Sequence, residues 1–386
     1  MLHTKKSTSL SSISIEIVDS TEKLDRIEAA WRELQARSAH RSVFTTVDYI
    51  RTAWACFHTD QDQMLVLALR EQGRLVAIAP FIVSHLLYMH IPSRVIDWLA
   101  EWEGDRPGLL CEIDPSRVWE RLGHFFQSEY KDWDLLRLHE QAAPLDEGNA
   151  LVKASHVETA VDSIGFHVPL QGSFDDYLQQ IDTKVKSNWR NRSKKVLALS
   201  PVFERIDRPT DMAAAVDRFI ALERMSWKGD TSLGVGLGKD ARHRHFYAEL
   251  CRSLAERGQA AFHFMRTGEQ DIAATLLFLV DGVVYERHIA YNPEFAHLSP
   301  GIVLRTELMK TMFGAGWHEF DLMGMQPSIG RQRHKQDWAT GRRDTISQQF
   351  FHRTGRLLPL FAARRMRDWL HLGHTEDKSA ADTHPA

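Results

Sequence analysis

One stretch predicts a strand end, a short loop and a helix start: Tyr291-Asn292-Pro293-Glu294-Phe295-Ala296-His297-Leu298-Ser299-Pro300-Gly301-Ile302-Val303-Leu304. Ser299 is a favoured N-cap residue, because its hydroxyl can accept a hydrogen bond from an N–H of the first turn. Pro300 suits the first helical position, since it has no N–H and its φ is already close to the helical value. The sequence therefore predicts that a helix begins directly after Ser299.

The predicted helix start has the features of an anion site. Gly301 has no Cβ, so a ligand could approach the backbone closely. The N–H groups of Gly301, Ile302 and Val303 would lie at the positive end of the helix dipole, which suits phosphate. The alternative is a well-formed helix start that binds nothing.

Length and composition indicate a soluble protein with two domains. The chain has 386 residues, more than one ordinary core holds, and is 43% hydrophobic and 26% charged. A net charge of −3 argues against a general attraction to DNA. The three cysteines are few, widely spaced and without metal-ligand spacing, which favours a reducing compartment and no metal site. Residues 1–12 lack the apolar core of a secretory signal and no apolar run approaches the ~20 residues that span a bilayer, which predicts a cytoplasmic protein.

The order of predicted elements indicates an internal duplication. Each half runs helix, helix, hairpin, helix, strand, which predicts two similar domains of the α+β class, each with a mixed sheet. The predicted divisions are a disordered N-terminus at 1–12, an N-terminal domain at 13–161, a C-terminal domain at 162–355 and a tail at 356–386. The tail has an amphipathic helix, which either contacts a membrane surface or packs on the protein, and a disordered polar end.

Seven short stretches carry a family resemblance through their order along the chain. They are 44–49 (FTTVDY), 79–81 (APF), 189–192 (WRNR), 223–229 (ERMSWKG), 290–293 (AYNP), 298–301 (LSPG) and 321–324 (DLMG), with Lys335 and Trp338. The chain resembles the GNAT-superfamily acyltransferases and, more specifically, the CelD/BcsL type, which are tandem GNAT-like proteins related to the FemAB peptidyl transferases. The resemblance covers about residues 13–351 and implies two tandem GNAT-like domains.

The resemblance implies acyl transfer from acetyl-CoA or another acyl-CoA to an amine or a hydroxyl. In the GNAT fold the donor lies between two splayed parallel strands, which here would be 283–292 and 319–323. The implied donor-binding residues are those at the helix start: Ser299, Gly301, Ile302, Val303 and Arg305.

The helix start departs from the usual GNAT loop at two positions. That loop has Arg or Gln where this chain has Ala296, and Gly where it has Ser299. The helix dipole and the free N–H groups do not depend on those side chains. Arg305, one turn further on, could supply the missing charge.

The predicted strand 283–292 is unusually polar, which suggests that it lines a cleft. Alternation along the strand places Glu286 and His288 on one face. His288 is the first candidate for the base, since histidine titrates near neutral pH, and Glu286 is the second. The resemblance implies that Tyr291 returns a proton to the leaving thiolate. The alternative is that His288 and Glu286 form structural pairs with neighbours such as Arg287.

Five further residues are candidates for the cleft. Asp321 is predicted to orient the base or the acceptor, or else to form a buried ion pair with Lys335. Lys335 and Trp338 are predicted to contact the acceptor. Trp227 and Lys228 precede a glycine-rich loop and are predicted to close the acceptor pocket.

Three functional hypotheses remain open. The first is an acyl-CoA-dependent N- or O-acyltransferase acting on a sugar or amino-containing acceptor, a small molecule or glycan, in polysaccharide or cell-envelope biosynthesis. The second is FemAB-like transfer from aminoacyl-tRNA to a peptidoglycan precursor, which six basic side chains in residues 184–195 favour unless they form only a solvated helix face. The third is a non-catalytic GNAT-like binding protein. The N-terminal half is predicted to be an inactive copy that shapes the acceptor cleft.

Overall fold

The strands form one mixed sheet. The computed structural model describes residues 13–39, 42–226, 229, 235–325 and 333–363. Within these residues the strands are β1 (Ile13–Val18), β2 (Asp62–Glu71), β3 (Arg74–Tyr88), β4 (Ile91–Trp98), β5 (Leu110–Cys111), β6 (Leu135–Gln141), β7 (Ser155–Pro169), β8 (Val202–Ile206), β9 (Ala260–Thr267), β10 (Gln270–Val280), β11 (Val283–Tyr291), β12 (Glu319–Met325) and β13 (Gly341–His352). Their order in the sheet is β1-β2-β3-β4-β6-β13-β7-β12-β11-β10-β9-β8, with β5 paired to β3.

Helices cover both faces of the sheet. They are α1 (Thr21–Arg37), α2 (Val47–Phe57), α3 (Pro115–His124), α4 (Ala150–Ala154), α5 (Phe174–Gln180), α6 (Thr183–Leu197), α7 (Met212–Arg224), α8 (Ala241–Ala255), α9 (Pro300–Met312) and α10 (Arg333–Gln336). On one face, a single buried cluster joins α1 and α2 of the first half to α7 and α8 of the second. On the other face, α3 and α4 cover the first half, and α5, α6 and α9 cover the second.

Each half contains one parallel strand pair within otherwise antiparallel pairing. In the first half β4 pairs with β6, beginning with Val95 opposite Leu135. In the second half β11 pairs with β12, beginning with Val283 opposite Glu319. The α+β class with a mixed sheet and the repeated unit are therefore as predicted.

The two halves exchange their last strands. β7 follows the first half in sequence but pairs antiparallel with β12 of the second half. β13, the last strand of the described chain, pairs antiparallel with β6 of the first half and with β7. The sheet therefore continues through both halves, and the predicted division between residues 161 and 162 falls inside β7.

The apolar pattern predicts a single helix over 174–199, but the structure has two helices there, α5 and α6. Asp182 begins α6, because its carboxylate accepts from the N–H groups of Lys184 at 2.9 Å and Val185 at 3.1 Å. This cap satisfies first-turn donors of α6 and lets the chain turn after α5. The turn sets α6 against α9, where the Trp189 indole N–H donates to the Thr306 hydroxyl at 2.8 Å.

The first part of the predicted tail packs on the protein. Leu357 and Phe361 are buried in a cluster with Val95 and Leu135 of the first half. The described residues do not include the segment 1–12 or the residues beyond 363. The predicted disorder of the segment 1–12 and of the polar end of the tail therefore falls outside the described residues. None of the described helices is long and apolar enough to cross a membrane.

Candidate active site

A cavity of about 450 Å³ opens where β11 and β12 separate. The two strands pair only from Val283 opposite Glu319 to Tyr285 opposite Asp321, and the cavity begins at the next residue, Glu286. Its lining from β11 and from the start of α9 comprises Glu286, Arg287, His288, Ile289, Tyr291, Ala296, Ser299, Gly301, Ile302 and Arg305. The rest of its lining comprises Asp105, Val235, Gly236, Met323, Gly324, His334 and Lys335. The predicted splayed strands and helix start thus share one cavity.

The start of α9 differs from the predicted cap. Ser299 has a left-handed backbone (φ 50°), and its hydroxyl accepts from Arg192 Nη1 at 2.7 Å instead of from the first turn. Its carbonyl oxygen accepts from the N–H groups of Ile302 at 3.0 Å and Val303 at 3.3 Å. Only the Gly301 N–H of the three predicted donors is left without an acceptor among the described residues. The prediction of free N–H groups was therefore wrong for Ile302 and Val303, because both donate to the Ser299 carbonyl.

Gly301 allows α9 to lie close to β11. A Cβ at this position would come within 3.2 Å of Ile289 Cδ1. Val303, one turn into the helix, is 1% exposed and packs in the core. At the helix start Ser299 and Ile302 are half-buried, and Gly301, although buried, lines the cavity.

Glu286 and Arg305 form a buried ion pair at the wall of the cavity. Arg305 Nε lies 2.8 Å and Nη2 2.5 Å from Glu286 Oε2, and Arg305 is 0% exposed. Both carboxylate oxygens are occupied by the guanidinium, which favours the structural alternative for Glu286 over the role of base. Arg305 Nη1 is buried and has no hydrogen-bond partner among the described residues, so one donor of this side chain remains unused.

A bulge in β11 separates Glu286 from His288. Leu276 of β10 lies opposite His288 and Leu277 lies opposite Glu286, so Arg287 is the extra residue. Glu286 contacts α9, whereas Arg287 and His288 both make their contacts on the α8 side of the sheet. The prediction that Glu286 and His288 share a face was wrong, because simple alternation does not allow for a bulge.

His288 ends a relay of three side chains. The Tyr247 hydroxyl on α8 donates to Glu103 Oε2 at 2.8 Å and lies 2.8 Å from His288 Nε2. An ionised carboxylate only accepts, so Tyr247 gives its one proton to Glu103 and must accept from Nε2. In neutral His288 the basic lone pair is then on Nδ1.

Glu103 is held in its charged form. Burial alone would raise its pKa, but the hydrogen bond with His243 and the charges of Arg287 and Lys239 hold the pKa well below its usual range. His243 Nε2 lies 3.0 Å from Oε1, and Arg287 Nη2 lies 3.2 Å from Oε2. The end of the relay opposite His288 is therefore a fixed negative charge, that of Glu103, which comes from the first half of the chain.

Asp321 has a different partner from either of those predicted. Its Oδ2 accepts from Arg106 Nη2 at 2.6 Å, and its Oδ1 accepts from the N–H of Met323 at 2.8 Å. Lys335 Nζ instead donates to the carbonyl of Gly324 at 2.9 Å. The predicted ion pair with Lys335 was therefore wrong, since Asp321 pairs with Arg106 and so links the two halves of the chain.

Lys335 and Asp105 lie together at the cavity. Burial lowers the pKa of Lys335 to about 8, although the nearby Asp105 charge opposes this shift. Asp105 Oδ2 accepts from the N–H of Gly324 at 3.0 Å, and Oδ1 has no hydrogen-bond partner among the described residues. Burial would raise the pKa of Asp105, but the charges of Arg106 and Arg287 lower it.

The remaining predicted residues lie in different places. Tyr291 lines the cavity. Trp338 is 2% exposed and packs edge-on against Trp189 at 5.7 Å, so it belongs to the core and not to the cavity wall. Trp227 and Lys228 lie outside the described residues.

The sequence analysis predicted that the first half shapes the cleft, but it did not identify the residues that do so. Glu103, Asp105 and Arg106 come from one loop, which contains the charged run Glu103-Gly104-Asp105-Arg106 before Pro107. Charged residues in such a loop are a signal of function that could have been used. Tyr247 gave no local signal, since a tyrosine on an apolar helix face is usually part of the core.

Residues 183–336 match a family described as an acetyltransferase (GNAT) domain. This segment contains α9, β11 and β12, the elements around the cavity. This segment is similar to GNAT-type acyltransferase domains, and the match supports an acyltransferase. No group of three or more His, Cys, Asp or Glu side chains in the described part of the protein could hold a metal ion.

Solved structures share the fold of this protein at low sequence identity. FemX is similar over 86% of this chain and 96% of its own, with a TM-score of 0.58 and 12% identity. L-PGS from Bacillus licheniformis is similar over 90% and 96%, with a TM-score of 0.50 and 11% identity. The C-terminal domain of a putative lysylphosphatidylglycerol synthetase from Agrobacterium fabrum is similar over 84% and 92%, with a TM-score of 0.50 and 10% identity. No curated protein sequence matches the chain.

Proposed function

We propose that the protein transfers an acyl group from an acyl-CoA, such as acetyl-CoA, to an amine or hydroxyl of a sugar-like acceptor, with His288 as the general base. One observation carries the proposal. His288, at the end of the relay from Glu103, and the start of α9 line the same cavity at the strand separation. A base and an anion site within one cavity are what a thioester-dependent transfer requires.

Three features support acyl-CoA as the donor. The Gly301 N–H has no acceptor among the described residues and lies at the positive end of α9, where a phosphate is stabilised. Arg305 Nη1 lies in the same cavity lining and is a buried donor without a partner in the described part of the chain. The edges of β11 and β12 separate beyond Tyr285, which leaves backbone groups for an extended donor arm.

The reaction follows from these positions. His288 takes a proton from the acceptor, whose nitrogen or oxygen forms a bond to the thioester carbonyl carbon. The tetrahedral intermediate then collapses, the C–S bond breaks, and Tyr291 gives its proton to the leaving thiolate. Lys335 contacts the polar acceptor from the other side of the cavity, while Asp321 acts through Arg106 to hold the loop that carries Asp105.

The first half of the chain serves as an inactive copy that completes the cavity. Glu103 and Asp105 from its loop supply the charge at the end of the relay and one part of the cavity wall. We place the protein with the CelD/BcsL type and with polysaccharide or cell-envelope biosynthesis. The sequence order of the seven stretches supports this placement.

Calorimetry with acetyl-CoA tests the donor. We expect the native protein to bind, and Gly301→Glu to lose binding, because a negative side chain would occupy the anion site. Thr311→Glu places the same charge at the other end of α9 and should bind like the native protein. If native protein does not bind acetyl-CoA, or if Gly301→Glu binds as well as Thr311→Glu, the donor assignment is wrong.

Aminoacyl-tRNA is the second candidate donor. The observation in its favour is the exposed basic helix α6, whose Arg192 contacts Ser299 at the start of α9. This alternative predicts binding of charged tRNA at physiological salt and none of acetyl-CoA. The same calorimetric series with charged tRNA therefore separates the two donors.

A further inference from the structure

Helix α6 presents an unusual excess of positive charge. Residues 183–197 contain six basic and no acidic side chains, although the whole chain has a net charge of −3. Five of the six are exposed: Lys184, Arg190, Arg192, Lys194 and Lys195. Within the described part of the chain none of these five forms an ion pair, so the described residues do not neutralise their charge.

Exposed apolar side chains follow directly after this charge. Leu197 is 45%, Leu199 39%, Val202 50% and Phe203 44% exposed. These are four of the nine exposed large hydrophobic residues found in the described chain, and they fall within seven consecutive positions. The chain turns here, at Ser200 (φ 52°), into β8, the terminal strand of the sheet.

We propose that this basic and apolar surface, the α6–β8 surface, binds the face of an anionic lipid bilayer. It consists of the five exposed basic residues and the four apolar residues just named. Lysine and arginine are attracted to anionic headgroups, and exposed apolar side chains at the same place can enter the interfacial region. Three of the four apolar side chains are aliphatic and cannot stack on bases, which argues against RNA as the occupant.

Binding by this surface places the cavity beside the bilayer. The Arg192 side chain reaches from α6 to the Ser299 hydroxyl at the start of α9, so the cavity wall begins one side chain away from the surface. The bilayer interaction does not depend on which donor the cavity takes.

Vesicle sedimentation with the full-length protein tests this proposal. We expect binding to vesicles of phosphatidylcholine with 30% phosphatidylglycerol, at about physiological salt, and much weaker binding to phosphatidylcholine alone. Each basic residue near an anionic surface contributes a factor of about 5 in partitioning. Lys194→Gln with Lys195→Gln should therefore bind about 30-fold more weakly.

Two controls make the result decisive. Lys131→Gln with Lys153→Gln removes the same charge from exposed positions of the first half and should bind like the native protein. Phe203→Ser should weaken binding even at high salt, where charge is screened. The proposal is overturned if the Lys194/Lys195 variant binds as the native protein does, if native protein does not distinguish the two vesicles, or if total tRNA, but not vesicles, binds the native protein.

Discussion

Replacing Tyr247 with phenylalanine removes the single hydroxyl that joins Glu103 to His288. The change deletes two hydrogen bonds of 2.8 Å each, while the ring can still pack edge-on against Phe246. A hydrogen bond to a charged group contributes about 1.5–3 kcal/mol. If that contribution is lost when His288 becomes positively charged in the transition state, the rate of acyl transfer should fall about 10- to 150-fold.

The loss should appear in kcat and not in the KM for the donor. Tyr247 acts on His288 from the α8 side of the sheet, whereas the proposed donor site lies at α9. Release of the CoA thiol from acetyl-CoA, measured over a panel of sugars and amino sugars, gives both constants. Nitrogen NMR of histidine-labelled protein gives an independent readout, since the relay requires the proton of neutral His288 to be on Nε2.

Tyr177→Phe is the matched control for this experiment. It also removes a buried hydroxyl, which here donates to the carbonyl of Trp338 at 2.6 Å, away from the relay. It should lower the free energy of unfolding by about 1 kcal/mol and leave kcat unchanged. Equal kcat values for native protein and Tyr247→Phe, or a native His288 protonated on Nδ1, would refute the relay.

Three further changes test other parts of the structure. Burial lowers the pKa of Lys335 from 10.5 to about 8, so folding releases its proton between these pH values and the free energy of unfolding rises with pH across that window. Lys335→Met should remove this pH dependence and, below pH 8, be more stable by up to about 3 kcal/mol. Urea unfolding from pH 7 to 10 measures both effects. Glu286→Gln leaves the Arg305 charge buried without its partner and should lower the free energy of unfolding by about 3–5 kcal/mol, whereas a loss below about 1 kcal/mol would contradict the buried pair. Phe350→Ala removes a β13 side chain from the core of the first half and should lower the free energy of unfolding by about 3–5 kcal/mol. Amide hydrogen exchange should become faster in β4 and β6. Faster hydrogen exchange in the second half alone would contradict the placement of β13 in the sheet of the first half.

Local signals were sufficient for many elements of the fold. The apolar spacing predicts helices over about 21–37 and over 47–57, which are the bounds of α1 and α2, and the structure shows that Ser20 and Thr46 cap them. The hairpin of β2 and β3 was also predictable from its apolar runs and its turn, whereas the splayed pair of β11 and β12 was implied by the family resemblance. β7 and β13 were not, because both mix polar and apolar residues, and their pairing joins segments more than 150 residues apart.

The site was predictable only where its residues lie close in sequence. The α9 start and the polar strand β11 gave local patterns, and both line the cavity. The bulge at Arg287 gave no such pattern, so the face of His288 could not be derived by alternation. The relay joins Glu103 to a tyrosine 144 positions away, and only the folded contact between the two halves brings them together.

The exchanged strands impose an order on the synthesis of the molecule. β6 emerges from the ribosome long before β13, its neighbour in the sheet, so the first half must wait for residue 352 before its sheet is complete. A gene split between the two halves would give two products, each with a strand position that only the other product can fill. Such fragments should be recovered as a folded pair when they are produced together, and as aggregating single chains when they are not.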